Sequence, residues 1–228
     1  MKPFSFRSCL GAAALLSLGL GRKAAAQAPA GWALKATPQH LVLSGYWLEA
    51  ERARPGHPRQ SFTLGPQLYA GPTGRPDAAR DSFEPNRDGR VRGAGLQLQH
   101  RFYLGPGAAS GGVPTGFYLS YAPQLQFFNL RFARLQWHQE TGPGNLPYVL
   151  YGPVPYHENV LRYGVAGQAG YQWPLGGRAL LDVYAGLGLR QSYYWSSFGN
   201  SQFRSGPSDY ASRGLYVPAG FKLGVLLK

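Results

Sequence analysis

Residues Ala179–Tyr193 read A-L-L-D-V-Y-A-G-L-G-L-R-Q-S-Y, and their alternation bears most directly on the fold. Every second residue from Ala179 to Leu189 is apolar, and the residues between them include Asp182 and Arg190. Because successive side chains of a β-strand point to opposite faces, we expect a strand with one apolar and one polar face. In a soluble sandwich the apolar face would be buried in the core. In a membrane barrel it would face lipid, and the polar face would line the lumen.

The N-terminal residues favour the membrane-barrel interpretation. Met1–Arg7 carries two cations and no acid, Cys9–Gly21 is apolar, and Ala24–Ala26 offers the small residues that precede signal-peptidase cleavage. This pattern predicts a secretory signal peptide over residues 1–26 and a mature domain over residues 27–228. The apolar part is too short to serve as a membrane anchor.

The cysteine content and the charge exclude several classes of function. The only cysteine, Cys9, lies in the predicted signal peptide, so disulfides, thiolate metal sites and a cysteine nucleophile are not expected in the mature chain. The formal net charge is +13, but the arginines are scattered and form no basic helix. In an exported chain, contact with anionic lipid head groups or lipopolysaccharide phosphates explains this charge better than nucleic-acid binding.

The same alternation recurs between turn residues and predicts eight strands in the mature chain. They are placed at residues 32–42, 46–52, 60–71, 90–104, 115–134, 159–173, 179–193 and 214–228. Short turns alternate with long loops at 71–89, 136–157 and 195–212, as in outer-membrane barrels with short periplasmic turns. The predicted fold is all-β: a closed antiparallel up-and-down transmembrane β-barrel, with a soluble lipocalin-like barrel as the alternative.

Seven charged residues fall on the polar faces of these strands. They are Glu49, Glu51, Arg101, Arg162, Asp182, Arg190 and Lys222. Because an eight-stranded barrel is just wide enough for its side chains to fill, and buried charges must be paired, these residues are predicted to form a salt-bridged network that fills the lumen. A lumen that binds a ligand or conducts small solutes is the alternative.

A lipid-modifying barrel enzyme is the third hypothesis. The groups available for a nucleophile or a base are His100, His157, Glu158, Ser192, Ser196 and Ser197. No second group is tied to His100 by spacing, no G-x-S-x-G or phosphate-loop motif occurs, and no two histidines share a metal-ligand spacing. We therefore expect no enzyme activity, no cofactor and no metal site.

Aromatic residues cluster where the predicted strands meet the predicted outer loops. They are Phe127, Phe128, Tyr148, Tyr151, Tyr156, Tyr193, Tyr194 and Trp195. Such a cluster is typical of the aromatic girdle at a membrane interface. Stacking of the tyrosine-rich loop Pro147–Tyr156 on a sugar or a partner protein is the alternative.

Several short segments resemble small outer-membrane barrels of Gram-negative bacteria, in particular an uncharacterised barrel family of unknown function. The matching segments are Leu34-Lys35, Tyr46–Arg52, Gly116–Leu119, Gly170–Trp173 and Leu181–Gly188. The resemblance covers most of the mature chain. It implies the fold and a location in the cell outer membrane, and it implies no catalytic residues.

The segment Lys222–Leu227 resembles the terminal signal by which the barrel-assembly machinery recognises such proteins, although Lys228 stands where an aromatic residue is usual. This resemblance implies insertion by that machinery. The expected partners are therefore the assembly machinery, outer-membrane lipids and lipopolysaccharide. The expected role is structural or interaction-based, with the outer loops as the contact surface. A narrow pore and a lipid-modifying enzyme are the alternatives.

Overall fold

The computed structural model describes residues 31–73, 89–104, 112–204, 206 and 209–227. The predicted signal peptide and most of the predicted connections 71–89 and 105–114 lie outside the described residues. Within the described ranges, no helix has the length and the hydrophobicity needed to cross a membrane.

The described residues form a closed ring of antiparallel strands. These are β1 (Trp32–Ala36), β2 (Gly45–Ala53), β3 (Gln60–Pro72), β4 (Arg90–Tyr103), β5 (Gly116–Thr141), β6 (Pro147–Gly176), β7 (Ala179–Ser196), β8 (Gly214–Tyr216) and β9 (Ala219–Leu227). Each strand from β1 to β7 pairs with the next, β7 pairs with both β8 and β9, and β9 pairs back to β1. Because β8 and β9 share one position in the ring, the prediction of a closed eight-stranded up-and-down barrel is confirmed.

The segment Ala179–Tyr193 lies in β7 and has the predicted two faces. Asp182 is fully buried inside the barrel, whereas Leu187 and Leu189 are 61% and 62% exposed on the outside. The preceding turn brings β6 and β7 into register with Tyr171 opposite Val183. Gly176 and Gly177 occupy the positive-φ conformations of this turn, at 105° and 56°, which favour glycine.

The outer face of the barrel carries an apolar band. On β5 the outward residues from Phe117 to Phe127 are all aromatic, aliphatic or proline, and the next two outward residues are Asn129 and Arg131. The apolar stretch is 11 residues long. A tilted strand needs about 9–11 residues to cross the hydrocarbon core of a bilayer.

The first predicted strand, residues 32–42, is wrong beyond Ala36. Pro38–Leu43 forms a 3-10 helix instead, and Ser44 ends it in a left-handed conformation with φ of 54°. Pro38 has no N–H to donate to a strand ladder, so the pairing of β1 with β2 and β9 stops before it. The predicted continuous strand 214–228 is likewise interrupted at Val217-Pro218, between β8 and β9.

The predicted loop 136–157 is also wrong, because it consists largely of strand. β5 continues to Thr141 and β6 begins at Pro147, around the short 3-10 turn Pro143–Asn145. The glycines and prolines here suggested a loop. Residues 147–157 of β6, however, have no partner strand on their other side among the described residues. An edge strand of this kind tolerates proline.

Residues 132–157 therefore project beyond the ring as a two-stranded hairpin, here named the β5–β6 arm. The last pairing of β5 with β4 is Arg131 with Arg90, and the last pairing of β6 with β7 is Glu158 with Ser196. About ten residues of each strand extend past these points, which gives a reach of roughly 33 Å.

Candidate functional site in the barrel lumen

The inward side chains divide the lumen into three layers. The lower end of the barrel is the end that holds Trp32, Leu227 and the turn between β2 and β3. A cluster of charged residues occupies the lower lumen, an apolar cluster lies at the upper mouth, and a cavity of about 490 Å³ lies between them.

The lower layer is a salt-bridged cluster, here named the charge cluster. Its members are Lys35, Glu49, Glu51, Arg101, Asp182 and Lys222. Arg101 lies at the centre, with Nη2 at 2.7 Å from Glu49 Oε1 and Nη1 at 2.7 Å from Asp182 Oδ2. Lys35 Nζ lies 2.5 Å from Glu51 Oε2, and Lys222 Nζ lies 2.5 Å from Glu49 Oε2.

The positive and negative charges in this cluster are equal in number, and tyrosine hydroxyls donate further hydrogen bonds to its carboxylates. Three cations face three carboxylates, and all six side chains are 5% exposed or less. Tyr118 donates to Asp182 Oδ1 at 2.7 Å, and Tyr103 donates to Glu51 Oε1 at 2.8 Å. The ring of Tyr118 also lies 4.6 Å from the Arg101 guanidinium carbon. Burial of so many charges is tolerable only because each carboxylate and each cation is paired.

The upper layer is formed by the segment that follows β7, which folds back over the mouth. Phe203, Tyr210 and Ala211 are buried there against barrel residues. Those barrel residues are Tyr69, Val91, Phe128, Leu130, Phe132 and Val160. Among the described residues, an apolar core therefore lies across the upper mouth.

This packing corrects the predicted aromatic girdle. Phe128 faces inward and is fully buried, and Tyr156 and Tyr194 pack against the same apolar cluster. Tyr148 and Tyr151 lie on the β5–β6 arm. Three of the predicted residues remain on the outer face of the strands, namely Phe127, Tyr193 and Trp195.

The middle layer is a cavity lined by two arginines, several amides and several aromatic rings. Its lining includes Arg162, Arg190, Gln97, Gln124, Gln126, Gln168, Trp47, Tyr69, Tyr184, Tyr210 and Tyr216. Arg162 is 8% exposed and donates from Nε to Gln126 Oε1 at 2.7 Å and from Nη1 to the carbonyls of Asp209 and Tyr210 at 3.0 and 3.3 Å. Arg190 lies over the ring of Tyr216, at 4.6 Å from its centroid.

The structure brings five of the seven predicted lumen charges together and separates the other two. Glu49, Glu51, Arg101, Asp182 and Lys222 belong to the charge cluster, whereas Arg162 and Arg190 line the cavity above it. The prediction missed Lys35, which contacts Glu51 and Asp182. Alternation would have found it, because Lys35 lies between the outward residues Leu34 and Ala36 of β1.

The groups considered for an enzyme lie in two parts of the barrel: His100 is on β4, whereas His157, Glu158, Ser192, Ser196 and Ser197 are on β6, β7 and the segment that follows β7. His100 lies on the outer face, stacked on Phe62 at 4.3 Å, with its ring nitrogens 3.2 Å from Tyr121 Oη and from Gln60 Oε1. Glu158 is buried at the top of the lumen and accepts from Ser201 and from the Gln202 N–H.

The candidate serines are engaged with the backbone. Ser197 bonds to the backbone of His157, Ser192 donates to the Ala211 carbonyl, and Ser196 accepts from the Phe198 N–H. These contacts connect the strands to the segment over the mouth. In the described ranges, no group of three or more His, Cys, Asp or Glu side chains is placed to hold a metal ion.

Two further features lie outside the lumen. Arg90 and Arg131 are paired across β4 and β5, and Arg92 is the next outward residue of β4, so three exposed arginines lie together just above the apolar band. On the arm, Trp137 and Tyr151 are in contact on the outer face, with centroids 5.3 Å apart.

The inner face of the arm carries a small polar cluster. Glu140 accepts hydrogen bonds from His138 Nε2 and Tyr148 Oη, each at 3.1 Å. These bonds favour the ionised carboxylate and so lower the pKa of Glu140 from its ordinary value.

No family model matches this chain, and the search of curated proteins finds no match either, so the resemblance to a small Gram-negative barrel family stays a prediction. Among solved structures, the chain is similar to a major outer membrane protein from Thermus thermophilus. The TM-score is 0.45 and the identity is 14%, over 88% of this chain and 100% of that chain. A likeness of this degree says nothing about function, and the barrel assignment follows from the strand pairing alone.

Proposed function

We propose that this protein is an outer-membrane barrel with a closed lumen, and that it acts at the cell surface by presenting the β5–β6 arm as a contact surface. The observation that carries the proposal is that the two ends of the barrel are built differently. The lower lumen is filled by the charge cluster, while the longest strands continue about ten residues past the ring.

The outer face supports a position in a lipid bilayer. Large apolar side chains such as Leu68, Leu125 and Leu187 are 54–61% exposed around the ring, and a soluble protein rarely leaves so much contiguous apolar surface in water. The arginines at 90, 92 and 131 lie directly above this band. Lipopolysaccharide phosphates are suitable partners for them, since guanidinium groups bind phosphate oxygens in a bidentate manner.

The charge cluster favours a closed barrel over the narrow pore. A conducting path would have to pass Arg101, which is in contact with carboxylates from both β2 and β7 and so bridges the lumen. Separating these groups would leave buried charges unpaired, which is costly. The apolar cluster around Phe203 and Tyr210 lies across the same path at the upper mouth.

The arm supports the surface role. Its outer face carries Leu135, Trp137, Val149 and Tyr151, which are 41–69% exposed although they lie above the apolar band. A two-stranded hairpin has little stability on its own, so exposed aromatic and aliphatic groups on it are better explained by contact with another surface than by folding. We include no catalytic step, because the candidate serines are engaged with the backbone and Glu158 accepts from Ser201 and Gln202.

Electrical recording tests the closed lumen. The purified protein, reconstituted in a planar bilayer, is expected to give no steady openings at moderate voltage. Reproducible unitary conductance would overturn the closed-barrel proposal in favour of the pore.

Cysteine labelling tests the orientation and the exposure of the arm. Because Cys9 is the only cysteine of the chain, single-cysteine variants of the remainder are simple to make. Leu146→Cys at the arm tip should react with a membrane-impermeant maleimide on intact cells. The matched variant His57→Cys, in the turn between β2 and β3, should react only after the outer membrane is permeabilised. The reverse pattern, or equal labelling, contradicts the proposal.

A further inference from the structure

The barrel wall is incomplete on one side of the cavity. β1 pairs with its neighbours only from Trp32 to Ala36, and β8 pairs with β7 alone. Between the upper parts of β2 and of β8 and β9, the described residues provide the 3-10 helix Pro38–Leu43 instead of a strand. Backbone hydrogen bonds of a sheet ladder therefore do not close the wall at this height.

The 3-10 helix fills this gap by side-chain contacts. Gln39 donates to Tyr184 Oη at 3.2 Å and lies against Gly220, where a Cβ would overlap its amide. His40 stacks on Trp47, with ring centroids 3.5 Å apart. Contacts of this kind separate at lower cost than a strand ladder, because no row of backbone hydrogen bonds has to break.

The cavity reaches this gap. Its lining includes Leu43 from the 3-10 helix and the run Leu215–Ala219 from the opposite edge. Leu215 and Val217 are each 66% exposed on the outer face. Residues that face the surroundings of the barrel thus also border the cavity inside it, and we name this stretch of the wall, where no strand ladder runs on both sides, the lateral opening.

The inner part of the cavity has the chemistry of an anion site. Arg162 and Arg190 are diagonal neighbours on β6 and β7, since Arg162 lies opposite Ser192 and Arg190 lies opposite Gly164. Diagonal positions are about 7–8 Å apart, so both guanidinium groups can contact one small anionic group. The hydrogen-bond acceptors around Arg162 are an amide and two carbonyl oxygens, which leave its positive charge without a carboxylate among the described contacts.

We propose that this cavity binds a single-chain anionic amphiphile, with a carboxylate or phosphate head at Arg162 and Arg190 and an acyl chain that leaves through the lateral opening. The volume of about 490 Å³ lies within the range of roughly 300–1,000 Å³ that small-molecule sites occupy. The amides of Gln124 and Gln126 and the hydroxyl of Tyr216 provide further polar groups beside the head. The apolar residues at the opening match a hydrocarbon chain.

Quenching of Trp47 fluorescence tests the proposal. Trp47 lines the cavity, while Trp32, Trp137, Trp173 and Trp195 are 40–69% exposed on the outer face or the arm. A variant with these four replaced by phenylalanine reports on the cavity alone. It is titrated in non-ionic detergent with a brominated fatty acid, a brominated lysophosphatidic acid and a brominated fatty alcohol of the same chain length.

Saturable quenching by at least one of the two anionic probes, at least tenfold tighter than by the alcohol, is the expected result. The tighter of the two identifies the head group as carboxylate or phosphate. Arg190→Gln should weaken binding of that probe at least tenfold, and the matched control Arg131→Gln, on the outer face, should leave it unchanged. Because the comparison of acid with alcohol needs no cavity variant, it stands even if Arg190→Gln fails to fold.

Two results would overturn the proposal. One is the absence of saturable quenching by both anionic probes. The other is the loss of either expected contrast, that is, equal affinity for the anionic probes and the alcohol, or equal affinity of the Arg190→Gln and Arg131→Gln proteins for the tighter probe.

Discussion

The lower and the upper lumen both contain a buried arginine, but the two arginines have different partners. Arg101 is surrounded by three carboxylates, which lie 2.7–3.3 Å from its guanidinium nitrogens. Arg162 donates instead to an amide and to main-chain carbonyls, and it borders a cavity. In the lower lumen, cations and carboxylates pair with one another. In the upper lumen, Arg162 and Arg190 border a cavity in which a bound group would fit.

The difference lies in how the space is used. In the lower lumen, Tyr103, Tyr118 and Gln172 occupy the volume between the charged groups. In the upper lumen, the wall is interrupted at two prolines, Pro38 and Pro218, and the cavity opens beside them. A layer filled by paired charges favours stability and closure, whereas a partly filled layer lined by Arg162 and Arg190 is the binding site proposed above.

The largest expected effect follows from removal of Arg101. Arg101→Met leaves Glu49 and Asp182 without their central partner, and loss of one member of a buried ion cluster costs about 3–5 kcal/mol. We expect a lower midpoint of urea unfolding in lipid vesicles and loss of heat-modifiable mobility on gels. Arg92→Met, an exposed arginine of the same strand, should change the midpoint little. Equal midpoints for the two variants would show that the cluster contributes nothing to stability.

Removing one cation and its carboxylate partner together should destabilise the protein less than the two single substitutions added together. Lys222→Met removes the ion pair with Glu49, and Glu49→Gln removes that pair together with those to Arg101 and Lys35. Each single variant should cost about 2–3 kcal/mol. The double variant leaves two cations and two carboxylates, so it should cost less than the sum of the singles by about 1–3 kcal/mol. Urea unfolding of all four proteins closes the double-mutant cycle. Strict additivity would mean that Glu49 and Lys222 act independently.

A smaller loss is expected in the upper lumen. Arg162→Met removes hydrogen bonds to neutral oxygens and should cost about 1–2 kcal/mol. Because two of these bonds hold the backbone at Asp209 and Tyr210, the segment over the mouth should become more sensitive to protease. Arg213→Met, at the end of the same segment, is the matched control. A loss as large as that of Arg101→Met would remove the contrast between the two layers.

The smallest effect concerns the arm, outside both layers. The bonds from His138 and Tyr148 hold the pKa of Glu140 below its ordinary value. They therefore stabilise the arm at any pH above that ordinary pKa. This contribution is lost as the pH falls through the lowered pKa. Carboxyl NMR of the folded protein, with the Glu140 signal assigned by its loss in Glu140→Gln, should show titration below the ordinary range. Titration at or above that range would mean that the cluster on the arm does not form.

Alternation was a good guide wherever the strand ladder is regular. It placed Asp182 inside and Leu187 outside, and applied to β1 it would have placed Lys35 inside as well. The predictions of a strand through residue 42 and of a loop over residues 136–157 were wrong, for opposite reasons. Pro38 interrupts the ladder locally, whereas Pro153 and Pro155 lie on a free edge where a missing N–H costs little.

The sequence by itself determined which residues face inward and which face outward in the regular strands, because a period of two along each strand separates the two faces without reference to any other strand. Only the tertiary structure decided which inward charges meet. Asp182 and Arg101 are 81 residues apart, and ring closure alone brings them within 2.7 Å. The same closure left Arg162 and Arg190 around a cavity, since the wall beside them depends on where β1 and β8 stop pairing. Contacts across a barrel are set by strand register and tilt, which no local pattern encodes.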